Sequence, residues 1–166
     1  MFKEITRKEL KEDWIKNIAE EWMLIAAGNE EGYNMMTASW GFVGEVWGSD
    51  AVTILVRPQR YTMEFLEKND VFTISFYGEN RAVHAVCGSK SGRDTDKTAE
   101  AGLTPVFTEN GVLFEEARLV ISCRKIYVDK IRPENIADGE ILGKWYPEKD
   151  YHNLLIGKIE KIWVKS

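Results

Sequence analysis

The chain has 166 residues, of which 44% are hydrophobic and 30% charged, a balance typical of a single globular domain spanning 1–166. Its net charge of −5 argues against a nucleic-acid partner or an anionic membrane surface, because affinity for phosphate backbones comes from clustered Lys and Arg. No apolar run approaches the roughly 20 residues of a membrane helix, and the charged first residues do not form a signal peptide.

The first 20 residues carry apolar side chains amid charge. Between residues 6 and 18 their spacing is close to helical, and Thr6 with Glu9 forms a candidate capping pair. The sequence therefore predicts a helical lead-in over 1–20.

The rest of the chain alternates short strands with turn formers. In chain order it predicts a hairpin of strands 22–28 and 33–39, a loop or irregular strand 40–48, a strand 51–56, a helix 62–69 and a strand 71–77. It then predicts a helix 81–86, a polar loop 88–97, a helix 98–102, strands 106–107, 112–114 and 117–127, excursions 130–136 and 146–150, and a closing strand 154–164.

This order of elements predicts a mainly β fold. Strands and helices do not alternate regularly, which disfavours a doubly wound parallel sheet and favours a closed antiparallel barrel with short helices. No G-x-G-x-x-G follows a strand, so a Rossmann dinucleotide site is not supported. No Gly-x-Ser-x-Gly appears either, so hydrolysis by a serine nucleophile is not supported.

The first part of a candidate site is the strand that contains Thr37, Ala38 and Ser39. Its side chains are small, so a flat ligand can approach the backbone and bond its N–H and C=O groups. Trp40 follows directly. Its indole could stack on a ligand ring or donate an N–H hydrogen bond to it, and core packing explains this residue equally well.

The second part follows the strand 51–56, where Arg57 and Arg60 lie three residues apart. Arginine is suited to bidentate contact with phosphate. Two ordinary surface charges are the alternative interpretation on composition alone.

The two histidines of the chain have different sequence surroundings. His84 lies in a small apolar run and is interpreted as a packed histidine. His152 follows Asp150 and is the stronger site candidate, for proton transfer or anion binding.

The two cysteines, Cys87 and Cys123, stand in unrelated sequence contexts. This argues against a metal site or a disulfide framework and favours reduced thiols in a cytoplasmic protein. For Cys87, a buried structural thiol is favoured over a reactive one.

Four motifs, taken together and in this order, carry a family resemblance: residues 34–40, 57–62, 91–97 and 150–152. Through them the chain resembles the FMN-binding split-barrel proteins of the flavin reductase type, in particular the flavoredoxin branch, from about residue 20 to residue 164. The resemblance implies a Greek-key split β-barrel that forms a homodimer and holds FMN near the subunit interface.

The resemblance also implies a role for each matching residue. Asn34 and the backbone of Met36, Thr37, Ala38, Ser39 and Trp40 are expected to line the isoalloxazine. Arg57, Arg60, Tyr61 and Thr62 are expected to take the ribityl phosphate. Lys97, in a loop with Ser91, is expected to contact the flavin, where its charge would favour the reduced ring. Trp163 is expected near the ring, and His152 on the nicotinamide side as the catalytic candidate.

The implied function is that of an oxidoreductase. Reducing equivalents would pass from NAD(P)H through the flavin to a flavin, ferric or protein acceptor. The alternative is an FMN electron carrier without its own NAD(P)H activity, loaded by a partner reductase. A flavin- or haem-binding module without turnover is a third alternative.

Overall fold

The computed structural model describes residues 1–166. Ten strands are present: β1 (Phe2–Glu4), β2 (Met23–Asn29), β3 (Gly32–Ala38), β4 (Gly41–Val46), β5 (Ser49–Val56), β6 (Val71–Phe76), β7 (Pro105–Thr108), β8 (Gly111–Phe114), β9 (Leu119–Lys130) and β10 (Asn153–Lys165). The α-helices are α1 (Trp14–Lys16), α2 (Tyr61–Lys68), α3 (Arg81–Ser89), α4 (Lys97–Ala101) and α5 (Gly139–Trp145). A π-helical turn, Asn17–Glu21, and a 3-10 turn, Pro133–Asn135, complete the list. None of the helices combines the length and the apolar character required to cross a membrane.

Eight strands form one antiparallel sheet in the order β3-β2-β6-β9-β10-β5-β4, with β1 also paired to β10. The remaining two, β7 and β8, form a separate hairpin. The end strands β3 and β4 do not pair with each other, so the sheet stays open. The mainly β split barrel is confirmed, and the full closure predicted from the strand pattern alone is wrong.

The sheet is buried on both faces. Along β2, Ile25 and Ala27 belong to one hydrophobic cluster and Leu24 and Ala26 to a second, because successive side chains of a strand point to opposite faces. Helix α2 contributes to the first cluster and helix α3 to the second. The two helices that flank the candidate site are thereby fixed to the barrel.

The predicted helix over residues 6–18 is wrong. Helical geometry is confined to Trp14–Lys16 and the π-helical turn after it. Thr6 does donate its N–H to Glu9 Oε2 at 2.8 Å, but this hydrogen bond lies within a turn and does not cap a helix. Strand β1 pairs with β10, and Leu10 and Trp14 pack against the first cluster, so tertiary contacts override the local helical pattern.

Two other segments differ from the prediction. Strand β4 is regular, and it joins β5 through a tight turn at Trp47 and Gly48, which have φ angles of 52° and 67°. Helix α5 was not predicted. The other predicted strands and helices are confirmed with shifted boundaries, and α4 ends at Gly102 in the left-handed conformation (φ 64°), as glycine permits.

Candidate functional site

A groove runs along the outer edge of β3 and consists of two adjacent recesses. The first, which we call the aromatic recess, has a volume of about 310 Å³ and is lined by Met36, Thr37, Ala38, Ser39, Trp40, Leu55, Arg57, Arg60, Trp145 and His152. The second, the polar recess, has a volume of about 170 Å³ and is lined by Asn34, Met36, Gln59, Arg60, Tyr61, Thr62, Cys87, Ser89, Lys90, Ser91, Gly92 and Lys97. They share Met36 and Arg60 as lining residues, so they lie next to each other in one groove.

The structure brings together all the predicted site residues except Trp163. Trp163 lies near the far end of β10, whereas His152 immediately precedes the start of that strand. At about 3.3 Å per residue, roughly 36 Å of strand separates the two positions. Trp163 packs instead against the second hydrophobic cluster, so it does not contribute to the groove of its own chain.

Strand β3 forms the floor of the aromatic recess. It stands at one end of the sheet and pairs only with β2, so its outward-facing N–H and C=O groups have no strand partner. The side chain of Thr37 bonds His84 Nδ1 at 2.9 Å, and Ala38 carries only a methyl group. The backbone edge is therefore accessible to a flat ligand, as the small residues predicted.

The start of helix α2 lies in the polar recess. Its N-cap residue, Arg60, makes no side-chain cap, and no group of the chain accepts from the N–H groups of Tyr61 and Thr62. Arg60 also has no ion-pair or hydrogen-bond partner for its guanidinium group. Open N–H groups at a helix start, beside an unpaired arginine, form an anion-binding arrangement.

A buried contact ties the two sides of the polar recess together. Asn34, 5% exposed, donates from Nδ2 to Thr62 Oγ1 at 2.8 Å. Gly92 lies against the other end of the same amide, where an added Cβ would come within 2.1 Å of Asn34 Oδ1. Only a residue without a side chain fits there, so Gly92 sets how closely the loop before α4 approaches β3. Asn34 thus acts through packing and through orienting the Thr62 hydroxyl.

Lys97 is buried at the inner end of the polar recess. Its Nζ donates to the carbonyl oxygen of Met35, on β3, and to that of Cys87 at 3.4 Å. Burial lowers the pKa of Lys97, and the nearby charge of Arg60 lowers it further. Burial also raises the pKa of the Cys87 thiol to about 11, so this thiol is protonated at neutral pH. These features favour the structural interpretation of Cys87.

Three aromatic side chains enclose the other end of the groove. The ring of Trp40 lies 5.0 Å from that of Trp145, edge-on, and 4.8 Å from that of His152. His152 Nδ1 bonds the hydroxyl of Tyr146 at 2.8 Å. Burial lowers the pKa of His152 to about 4, with Arg57 contributing. The imidazole is therefore neutral near pH 7 and does not bind an anion by charge.

The two arginines of the 57–62 turn have different surroundings. Arg57 pairs with Asp150, at 2.6 Å between Nη1 and Oδ2, and donates from Nη2 to the carbonyl of Trp145 at 2.9 Å. A hydrogen bond from Gln59, 2.7 Å long, holds the pKa of Asp150 below its usual value, and Arg57 adds to this effect. Arg60 keeps its charge free for a ligand.

The sequence analysis assigned no role to several residues that line the groove: Leu55, Gln59, Ser89, Lys90, Gly92 and Trp145. A signal existed for Trp145, because Asp138 caps α5 by accepting from Glu140 N, and Ile141, Leu142 and Trp145 follow at helical spacing. Nothing in the local sequence indicated that this helix ends against Trp40.

Comparison with family models gives a match over residues 15–166 to the family described as flavin reductase like domain. Comparison with curated proteins gives no match.

Solved structures share the fold. An FMN-binding domain of a flavin reductases-like enzyme from Shewanella baltica OS155 has a TM-score of 0.70 at 15% identity, covering 99% of this chain and 77% of its own. Flavoredoxin of Desulfovibrio vulgaris (Miyazaki F) has a TM-score of 0.67 at 22% identity, covering 87% and 69%. An FMN-binding protein from Thermus thermophilus, solved with bound 1-cyclohex-2-enone, has a TM-score of 0.64 at 22% identity, covering 86% and 69%. At these identities the likeness shows the fold alone.

Proposed function

The chain belongs to the flavin reductase-like family, and from this membership we propose that it is an FMN-binding oxidoreductase. In this proposal it passes reducing equivalents from NAD(P)H to a flavin, ferric or protein acceptor. The observation that carries the proposal is the pair of adjacent recesses, which place an anion-binding helix start next to a recess along an open strand edge. A phosphorylated planar ring requires both features in one site.

The phosphate group is assigned to the polar recess. Arg60 supplies an unpaired positive charge, and the N–H groups of Tyr61 and Thr62 point from the start of α2 without acceptors. Because the Thr62 hydroxyl accepts from Asn34, its own proton is free to donate to a ligand. Ser91, half-buried in the same recess, adds a further hydroxyl group.

The flavin ring is assigned to the aromatic recess. The open edge of β3 at Thr37 and Ala38, and Ser39 directly after it, offer backbone donors and acceptors, and Trp40 and Trp145 form the walls. When bound, FMN supplies the hydride and electron chemistry. The chain binds the cofactor, orients it and excludes water. The buried Lys97 bonds the carbonyl of Met35 on β3 from the polar recess, next to the recess assigned to the ring.

His152 is positioned as a neutral wall of the recess. Its Nδ1 is engaged by Tyr146, and its Nε2 makes no hydrogen bond within the chain. This free nitrogen is available to a donor or acceptor group of the second substrate. We therefore assign it to substrate orientation on the nicotinamide side, without a change of charge near pH 7.

The experiment that tests this function is anaerobic mixing of FMN-loaded protein with NADH and, separately, with NADPH. Loss of the oxidised-flavin absorbance within seconds with either donor would support the reductase. Absence of bleaching with both donors, in protein that retains FMN, would contradict the reductase and favour the electron carrier. The fold likeness to flavoredoxin supports retaining this second candidate.

We also propose that the chain forms a homodimer. Large apolar side chains are exposed on β4 and β9 and at the turn after β4: Phe42 and Trp47 (66% each), Val128 (52%), Ile126 (41%) and Tyr127 (40%). The Trp47 ring lies 6.0 Å from that of Tyr127, so these two side chains meet across the sheet. Large apolar side chains exposed in this way are typical of a subunit interface.

Size-exclusion chromatography with light scattering tests the dimer. The wild-type protein should have about twice the 19.1 kDa chain mass. Trp47→Glu should shift it toward the monomer, whereas Ile141→Glu, at another exposed apolar position, should not. A monomeric wild-type protein would contradict this part of the proposal.

A further inference from the structure

Both terminal nitrogens of the Arg57 guanidinium group are engaged within the chain. Asp150 neutralises it at 2.6 Å, the carbonyl of Trp145 accepts from its other terminal nitrogen at 2.9 Å, and the Tyr146 ring lies 5.3 Å from its central carbon. All three partners belong to the segment that runs from Trp145, the last residue of α5, to the start of β10. This side chain therefore fastens that segment to the end of β5.

The position of Arg57 also separates it from the anion-binding part of the groove. Val56 pairs with Asn153, which places Arg57 beside His152 at the aromatic end. Arg57 lines the aromatic recess only, whereas Arg60 lines both recesses. The open N–H groups at the start of α2 thus lie in the recess that Arg57 does not line.

Recruiting Arg57 to a phosphate would have an unfavourable consequence. Its release from Asp150 would leave that carboxylate close to the incoming phosphate, and two anions at short range repel each other. It would also free the carbonyl of Trp145, which forms the aromatic wall. Arg60 can bind the same phosphate without breaking any contact of the chain.

From these contacts we infer that Arg57 is a positioning residue for the aromatic wall and does not bind the phosphate. Together with Asp150 it holds Trp145 and Tyr146 in place, and through Tyr146 it holds His152. Recognition of the phosphate charge then depends on Arg60 and the start of α2. This inference rests on the proposed binding of FMN and extends it, because it assigns the two arginines to different parts of one ligand.

A comparison of FMN with riboflavin, which has the same ring without the phosphate, tests the inference. The dissociation constants of both are measured by flavin fluorescence quenching for the wild type, for Arg57→Gln with Asp150→Asn, and for Arg60→Gln. The paired substitution leaves the net charge of the groove unchanged, so it removes the contact without altering long-range attraction. Arg124→Gln, on an exposed arginine of β9 outside the groove, is the charge-matched control for Arg60→Gln.

The paired variant should bind both flavins more weakly by a similar factor, keeping the FMN-to-riboflavin ratio within about threefold of the wild-type value. Arg60→Gln should lower the affinity for FMN about tenfold or more with little effect on riboflavin, so the FMN-to-riboflavin affinity ratio should fall about tenfold or more.

An affinity ratio that falls in this way in the paired variant would overturn the inference, and so would an unchanged affinity of the paired variant for both flavins. Arg57→Lys, with Asp150 intact, keeps the positive charge but cannot contact both partners at once. It should also weaken the binding of both flavins by a similar factor. A wild-type protein that binds neither flavin would refute the proposed function itself.

Discussion

Both histidines of the chain are buried. The free energy of unfolding should therefore decrease as the pH is lowered through a narrow acidic range. Burial lowers the pKa of His84 from 6.5 to about 4, with a contribution from Arg81, and lowers that of His152 from 6.5 to about 4. Between these values the unfolded chain binds protons that the folded chain does not. Stability is thus fully present above about pH 6.5 and is lost as the pH falls toward about 4.

The magnitude follows from the two pKa values. Lowering the pH from about 7 to about 5 should cost about 2 kcal/mol for each histidine and about 4 kcal/mol for both. This is a large part of the roughly 5–15 kcal/mol that stabilises a typical domain. The pKa values of Glu21 and Asp150 are also lowered, but carboxylates affect stability mainly below about pH 5. The change in the free energy of unfolding between about pH 7 and 5 therefore reflects mainly the two histidines.

Urea unfolding of the apoprotein, followed by tryptophan fluorescence at several pH values, measures the effect. His84→Gln and His152→Gln should each remove about half of the pH dependence between about pH 7 and 5, because each removes one buried titrating group. A wild-type midpoint that stays constant over this interval would refute the reasoning. A pH dependence unchanged in both variants would do the same.

Two further predictions concern packing. Gly92→Ala should destabilise the protein by about 1–3 kcal/mol and weaken FMN binding, because its Cβ would clash with Asn34 Oδ1. Gly143→Ala, which has open space around it in helix α5, should be neutral or stabilise by up to about 1 kcal/mol; equal urea midpoints for the two variants would count against this account. Cys87 and Cys123 are buried with raised thiol pKa values, so an aromatic disulfide reagent should label neither in the native protein near pH 7 and both in denaturant. Rapid labelling of one native thiol would contradict the burial.

The sequence predicted the elements whose pattern is local. Strand β5 and helix α2 follow from β-branched content, turn formers and apolar spacing. The lead-in was misjudged because Leu10 and Trp14 satisfy a helical spacing, while their burial against the barrel and the pairing of β1 with β10 are long-range contacts. The openness of the sheet likewise depends on the distant strands β3 and β4, which no local pattern relates.

The sequence predicted which residues form the site better than it predicted the role of each one. Motif matching identified Asn34, Arg57 and Lys97 as groove residues, and the structure places all three there. It did not show that Arg57 is neutralised by Asp150, since this pair joins positions 93 residues apart in the chain. The neutral state of His152 also depends on burial that forms only when α5 and β10 meet the barrel.

We propose that the groove along β3 binds one FMN per chain. Titration of apoprotein with FMN, followed by quenching of flavin fluorescence, tests it most directly. We predict saturable binding with one FMN per chain and a dissociation constant in the micromolar range or below, weakened about tenfold or more by Arg60→Gln and little changed by Arg124→Gln. Absence of quenching up to roughly 100 μM FMN, or equal affinities in the two variants, would contradict it.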